Sequence, residues 1–295
     1  MVELAPTDTA SGREGTNKER SSVREWLGRF LNVEKINPQI IKRLELLNSM
    51  TSFIEEEKES LELAQKLFEY YKNKHQNKAW SSEEKEQVLI GLILADIGKS
   101  GPPKASEIEQ ALIIRIYSIE GVKNVKTSVR DLLEEKFPDT FQRDLELLKD
   151  MDLDSAMPIE KFWRLHSGWT LGIIEGDGVP EEDLPGAVMH HVLEGDNIEL
   201  IDEEGNFKTL LVDGKMKLRF GDNRRFDRSE KLVPLLDKYA AVLTRLAGTT
   251  HDDAIAFLRK NLAKNERFKN DQEFIELIDA LDESLGTQVL AKTEA

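Results

Sequence analysis

Residues 93–101 read ILADIGKSG, and this short stretch decides how the rest of the sequence is interpreted. It ends an apolar run, and Gly98 and Lys99 are ordinary signals for the end of a helix. Asp96 is not such a signal, because the dipole of a helix disfavours a carboxylate at its C-terminus. An acid in that position needs a compensating cation, which can be a side chain or a metal ion.

The composition limits the kinds of partner and site. The chain has a formal net charge of −15, whereas proteins that bind nucleic-acid backbones normally carry a basic surface, so that class is disfavoured. A basic protein partner would suit the acidic surface. There is no cysteine, so a metal would need His, Asp and Glu ligands. The lack of cysteine and of an apolar run of membrane length fits a cytoplasmic protein.

The hydrophobic pattern predicts a mainly helical fold, because apolar residues recur at helical spacing through most of the chain. Residues 1–20, rich in Gly, Thr, Ser and charge, are expected to be a disordered tail, and 285–295 a flexible C-terminus. Residues 197–220 contain short strand candidates with a turn at Asp213-Gly214. This pattern predicts a small antiparallel β meander.

Three of the five histidines are candidates for one site. His166 lies in an apolar helix, whereas His190 and His191 are adjacent and would point about 100° apart on a helix. Taken singly, each is more simply a packed core histidine. Together, in an acidic chain without cysteine, they favour a metal site, since imidazole and carboxylate suit Mn, Fe or Zn. His75 and His251 lie in polar contexts and are expected on the surface.

Several segments resemble, in the same order, the motifs of HD-domain phosphohydrolases, particularly the HD-GYP-like branch. LADIGKSG resembles the HDIGK signature, and ESLELA (59–64) is similar to the HSxxVA helix. HSGWTLGII (166–174) resembles the helix that begins with a histidine, and HHVLEGD (190–196) resembles the HHE…DG segment. KLVPLLDKYAAVLT (231–244) is similar to the PLxxxxxxADxYDALT helix. The matched order covers roughly residues 40–100 and 160–282.

The resemblance implies an HD-like helical domain over residues 21–284 that holds one to three divalent ions (Mn, Fe, Mg or Zn) and hydrolyses a nucleotide or other phosphodiester. Its pattern gives these metal-ligand candidates: Glu59, Asp96, His166, His190, His191 and Asp237. Asp96 and Lys99 are the catalytic candidates, with Lys99 facing the substrate phosphate as a point charge. A bound metal would lower the pKa of a water and neutralise charge on the phosphoryl oxygens.

The sequence also departs from the family pattern. Ala95 stands where the defining histidine of the HD pair is expected, Glu59 stands where another histidine is expected, and Ala240 replaces the aspartate of the YDA triplet. The GYP element is absent, with the predicted meander in its place, and about 104–158 is an insertion. The loss of the HD histidine removes a metal ligand.

Three interpretations therefore stay open. The first is a metal-dependent phosphohydrolase with an altered site that acts on a phosphorylated small molecule or nucleotide. The second is a catalytically inactive HD-like domain that binds a nucleotide, a metal or a protein partner in signalling. The third is a structural helical domain whose histidines are coincidental.

Overall fold

A computed structural model describes residues 22–30, 32–175, 179, 183–212, 215–218, 220, 224–245 and 248–293. The predicted tail at 1–20 and the Asp213-Gly214 turn lie outside these residues. The helices are α1 (Val23–Leu27), α2 (Pro38–Met50), α3 (Phe53–Lys74), α4 (Ser82–Ala95), α5 (Glu107–Tyr117), α6 (Val129–Lys136), α7 (Phe141–Asp150), α8 (Ile159–Ile174), α9 (Leu184–Val188), α10 (Arg228–Arg245), α11 (His251–Lys264) and α12 (Gln272–Thr293). The prediction of a mainly helical fold is confirmed.

Helix α4 lies at the centre of the fold, in contact with α3, α9 and α10. Its start is fixed by Ser81, whose side chain accepts from the backbone of Glu84 while the Glu84 carboxylate accepts from the backbone of Ser81. Its second half, Ile90 to Ala95, is buried throughout. A methyl group on Gly91 would lie 2.8 Å from Val233 Cγ2. Glycine therefore lets α10 approach α4 closely at this point.

The end of α4 is joined to α8 by a close backbone contact. Residues Ile97–Ser100 form a 3-10 turn, in which the Gly98 N–H donates to the Thr170 hydroxyl at 3.1 Å. That hydroxyl donates in turn to the Ala95 carbonyl at 2.9 Å. A β-carbon on Gly98 would lie only 2.0 Å from the His166 carbonyl oxygen. The glycine of the opening stretch is thus needed for α8, which holds His166, to reach Asp96.

A buried cation fixes the chain that follows this turn. Arg43 of α2 is 6% exposed and donates to the Ser100 hydroxyl at 2.9 Å. It also donates to the carbonyls of Pro102 at 2.9 Å and Pro103 at 2.7 Å. The SGPP segment cannot form helical hydrogen bonds, so the guanidinium supplies donors that its carbonyls would otherwise lack.

The segment proposed as an insertion packs around its own apolar residues. Buried side chains of α5, α6, α7 and the first half of α8 form one cluster, from Leu112 to Phe162. The main core is a second cluster that takes in α1 to α4 and α9 to α12. Helix α8 contributes to both clusters, since Phe162 belongs to the first and Ile173 and Ile174 belong to the main core.

The β structure differs from the predicted meander. Strand β1 (Thr209–Val212) pairs antiparallel with β2 (Lys215–Leu218), and the segment expected to form the first strand is instead the 3-10 turn Ile198–Leu200. This turn follows Asn197, which has φ 57°. The adjacent residues Leu200 and Ile201 are both buried, so these apolar side chains reach the core from the turn and not from a strand. A three-stranded meander is therefore not shown within the described residues.

Two other findings concern the ends and length of the helices. Helix α12 continues past the predicted end at 284 to Thr293, and Leu285 in this extension is buried. Among the residues described, no helix combines the length and the apolar character that crossing a membrane requires.

Candidate metal centre

Asp96 lies directly after the last residue of α4, and its carboxylate is surrounded by cationic and imidazole groups. Lys99, one turn further on, forms an ion pair with Asp96 Oδ2. Asp96 Oδ1 lies 3.4 Å from His166 Nε2 and 4.0 Å from His190 Nε2. The structure thus places a lysine and two histidines around the acid that the helix dipole disfavours.

The three candidate histidines meet at this carboxylate. His166 comes from α8, whereas His190 and His191 follow α9. His166 Nε2 lies 2.9 Å from His190 Nε2 and 3.1 Å from His191 Nε2. His190 is fully buried and His166 nearly so, and one nitrogen from each of the three rings lies within 4.8 Å of the others. A group of this kind has the chemistry and spacing of a metal site.

The hydrogen bonds of the outer nitrogens fix the tautomers of two rings. His166 Nδ1 donates to the Trp163 carbonyl, and His190 Nδ1 donates to the Ala187 carbonyl at 2.6 Å. A carbonyl only accepts, so each Nδ1 holds a proton, and each Nε2 points into the cluster. Bonds of this type from the outer nitrogen to a backbone carbonyl are usual for metal-binding histidines.

The third ring is held in the opposite tautomer. Lys238 Nζ lies 2.8 Å from His191 Nδ1, and an ammonium can only donate. His191 Nδ1 therefore accepts, and its proton is on Nε2, which faces His166 Nε2. Lys238 also lies 3.1 Å from Glu194 Oε1 and 3.2 Å from Asp237 Oδ2. This lysine links the second histidine of the HH pair to two carboxylates.

The carboxylates around the site differ in their protonation. Burial would raise the pKa of Asp96, but the Lys99 charge and the His166 hydrogen bond outweigh it and hold the pKa well below its usual value. Burial, together with the charges of Asp96 and Asp237, raises the pKa of Glu57 well above its usual value. The arrangement therefore favours one ionised acid, Asp96, and one protonated acid, Glu57.

The two adjacent histidines are held neutral. Burial, reinforced by the neighbouring rings, lowers the pKa of His190 well below its usual value. Burial and the Lys238 charge lower the pKa of His191 to about 2. A neutral imidazole is the form that binds a metal ion.

One wall of the site is aromatic and the other side is open. The Tyr117 ring packs edge-on against His166 with centroids 5.7 Å apart, and its hydroxyl donates to the Phe162 carbonyl at 2.9 Å. Side-chain exposure rises to 22% at Lys99, 24% at Asp237 and 36% at Glu194. A ligand would enter from the side of these three residues.

Most of the residues singled out from the sequence lie together. These are Asp96, Lys99, His166, His190, His191 and Asp237. Among the described residues Glu59 has no recorded contact with this cluster: its carboxyl is influenced by Glu62 and Lys66, and its own charge acts on Tyr239. Glu57 faces the cluster instead, and positions 57 and 59 of a helix point roughly 200° apart.

Three residues of the site were missed by sequence reasoning: Glu57, Glu194 and Lys238. Glu57 shares its buried helix face with Ser60, Leu61 and Ala64, so the helical period was the signal that could have identified it. Ala95 is buried immediately before Asp96, and Ala240 is buried in α10, so neither supplies a ligand at the positions where the resemblance expects one.

No family model, curated protein or solved structure matches this chain.

Proposed function

We propose that the chain binds one or more divalent cations at Asp96, His166 and His190 and hydrolyses a phosphoester as an HD-type phosphohydrolase. The observation that carries the proposal is the contact between His166 Nε2 and His190 Nε2, at 2.9 Å. Both atoms also lie near Asp96 Oδ1, at 3.4 Å and 4.0 Å, while the other nitrogen of each ring is turned to a backbone carbonyl. Two imidazole nitrogens and a carboxylate oxygen that converge in this way form a ligand set for a divalent cation.

The spacing of the three donors is near that of ligands around a single ion. Zinc binds nitrogen and oxygen at about 2.0–2.2 Å in a tetrahedron, so two of its ligands lie roughly 3.3–3.6 Å apart. The three separations here are 2.9 Å, 3.4 Å and 4.0 Å, which lie on both sides of this range. Mn, Fe and Zn bind both imidazole and carboxylate ligands. Mg prefers carboxylate and other oxygen ligands, so it fits this mixed set less well.

The chain's own groups suit the hydrolysis of a phosphate ester. A divalent ion supplies a water of lowered pKa and neutralises charge on the phosphoryl oxygens. Lys99 is 22% exposed at the mouth of the site, where its ammonium would attract a phosphate. Hydrolysis forms a bond from the water oxygen to phosphorus and breaks the ester bond, whose oxygen leaves with a proton. The substrate class we propose is a nucleotide or phosphodiester, in the cytoplasm.

A second candidate function is a binding domain without catalysis. Ala95 removes a ligand that the resemblance expects, and the ammonium groups of Lys99 and Lys238 both lie at the site. The two ammonium groups would attract a phosphate group whether or not it is hydrolysed. A domain of this kind would serve as a nucleotide-binding or protein-binding module in signalling.

Metal analysis and a hydrolysis assay test both functions. The chain is dialysed against Mn²⁺, freed of excess metal and assayed with bis(p-nitrophenyl) phosphate. We expect bound metal, and a loss of activity in Asp96→Asn at least as large as the ~10–100-fold cost of losing an outer-shell partner. Asp252→Asn is the matched control, since Asp252 is exposed on α11.

The outcomes separate the candidates. Bound metal without hydrolysis of this or a nucleotide substrate favours the binding domain. A chain that retains no Mn²⁺, Fe²⁺ or Zn²⁺ contradicts the metal site itself. Activity that survives Asp96→Asn would place the chemistry elsewhere.

A further inference from the structure

Lys238 makes three polar contacts at the edge of the proposed metal site, and all of them are with groups that could bind a metal. Its Nζ lies 2.8 Å from His191 Nδ1, 3.1 Å from Glu194 Oε1 and 3.2 Å from Asp237 Oδ2. The side chain is 13% exposed. An imidazole nitrogen and two carboxylate oxygens around one point form a ligand set for a divalent ion, and here an ammonium occupies that point.

One of these contacts is a hydrogen bond and the other two are ion pairs. The ammonium donates to His191 Nδ1 and is paired with the carboxylates of Glu194 and Asp237. A largely buried cation with two opposite charges beside it is held in place, whereas the loss of those partners would leave it destabilised. Its position also fixes the tautomer of His191, whose Nδ1 lone pair is used and whose Nε2 holds the proton.

We infer that Lys238 is a built-in cation that takes the place of a second divalent ion, so that this centre holds one ion, bound by Asp96, His166 and His190. This inference rests on the proposed function. The resemblance implies one to three bound ions, and the position of Lys238 favours one. Asp237 and His191, expected from the sequence to bind metal, would instead bind the lysine.

Removal of the ammonium should free the second ligand set. In Lys238→Met the side chain keeps its length and loses its charge, so His191, Glu194 and Asp237 become available to an ion. We expect equilibrium dialysis with Mn²⁺ to give one equivalent per chain for the wild type and two for Lys238→Met. Lys260→Met, which removes an exposed lysine of α11, is the control for the change in net charge. This variant should bind one equivalent of Mn²⁺ per chain, like the wild type.

A second measurement does not depend on a variant that folds. The chain has five histidines, so ¹⁵N labelling of histidine gives a simple spectrum in which each ring can be assigned. On addition of Zn²⁺ we expect the Nε2 signals of His166 and His190 to shift as ligated nitrogens. His191 should keep its proton on Nε2 and an unprotonated, unligated Nδ1.

Each result has a definite meaning. Two equivalents of Mn²⁺ in the wild type, one equivalent in folded Lys238→Met, or a zinc-ligated nitrogen of His191 would overturn the inference and leave the proposed metal site intact. No bound metal in any variant would overturn the proposed function and this inference together. One equivalent in the wild type and two in Lys238→Met, with His191 unligated, would support it.

Discussion

The Nε2 atoms of His166 and His190 lie 2.9 Å apart, although both rings donate their Nδ1 protons to backbone carbonyls. These carbonyls belong to residues three positions earlier, Trp163 and Ala187. Local backbone contacts therefore orient each ring, and the tertiary fold then brings the two Nε2 atoms together beside Asp96 Oδ1. A cation bound by both nitrogens would join α8 to the segment that follows α9.

A cation should therefore stabilise the fold. At a free Mn²⁺ concentration of 100 times its Kd, the free energy of unfolding should rise by about 2.7 kcal/mol. In a chain of this size that corresponds to a rise in Tm of several degrees, measured by circular dichroism. His190→Ala should lose most of this metal-dependent rise, because one of the two nitrogens is gone.

The control for this change is His75→Ala. His75 is exposed, and its ring contacts Tyr70 and Tyr71 at the end of α3 opposite to Glu57, which faces the proposed metal site. The rise in Tm that Mn²⁺ causes in His75→Ala should match that of the wild type. Equal rises in His190→Ala and His75→Ala would show that the ion binds elsewhere.

A residue of this site could be predicted from the sequence only where its local sequence context is unusual. Asp96 was found because a carboxylate at a helix end is electrostatically unusual, and the histidines because they are few. Lys238 gives no such signal, because only the tertiary fold brings α10 next to His191. His251 shows the same limit, since its polar sequence context predicts the surface. In the structure its ring is held between Tyr239, at 2.7 Å, and Asp282, at 3.1 Å.

The prediction of fold class succeeded where the signal was long and periodic, as in the buried half of α4. The prediction of a strand was wrong for residues 197–202, NIELID, because so short a segment does not distinguish a strand from a turn with two buried apolar residues. Asn197 tolerates the left-handed backbone that starts this turn, and its side chain donates to the Val188 carbonyl at 2.8 Å. That bond joins the turn to the segment of His190 and His191, a tertiary contact that local sequence does not reveal.

Two glycines offer a direct test of how the site is held. A β-carbon on Gly98 would lie 2.0 Å from the His166 carbonyl oxygen, whereas one on Gly168 would have no atom of the described residues within 4 Å. Gly98→Ala must displace α8 from the turn after α4, and we expect a loss of at least ~1–3 kcal/mol in urea unfolding. The amount of metal bound per chain should also decrease in this variant, because His166 moves with α8.

Gly168→Ala is the control, because it makes the same chemical change two residues from His166. Alanine is favoured over glycine within a helix by roughly 0.8–1.0 kcal/mol, so this variant should be slightly more stable than the wild type. Metal binding should be unchanged. If Gly98→Ala were as stable as Gly168→Ala, the close contact between the turn and α8 would not be essential.

Glu57 should release a proton when a divalent ion binds. Burial and the charges of Asp96 and Asp237 raise its pKa, and the approach of a cation lowers it again. The number of protons released follows from calorimetric titrations with Mn²⁺ in buffers of different ionisation enthalpy. We expect proton release in the wild type and less in Glu57→Gln, which keeps a neutral side chain of the same shape.

The control is Glu59→Gln, since Glu59 lies on the same helix but away from Asp96. Its proton release should equal that of the wild type. If Glu57→Gln released as many protons as the wild type, the proton would come from another group of the site.

Glu230, seven residues before Asp237 on α10, provides a separate test of how burial changes the pH dependence of stability. It is 2% exposed near the start of α10, where it accepts from the Asp227 backbone at 3.0 Å and forms an ion pair with Arg224. Burial, with a contribution from Asp227, raises its pKa to about 8, although the Arg224 charge acts in the opposite direction. The folded chain thus holds this proton more tightly than the unfolded chain, where the pKa is near 4.5.

The sign of the effect follows from this difference. The stabilisation from the bound proton is complete below about pH 4.5 and is lost as the pH rises to about 8. Glu230→Gln cannot titrate and keeps an oxygen that accepts from Asp227, so its stability relative to the wild type should increase by about 1.4 kcal/mol per pH unit through this window. Urea unfolding at pH 5, 6, 7 and 8 measures the difference. A constant difference, with the glutamine variant less stable throughout, would mean that the Arg224 ion pair keeps Glu230 ionised despite its burial.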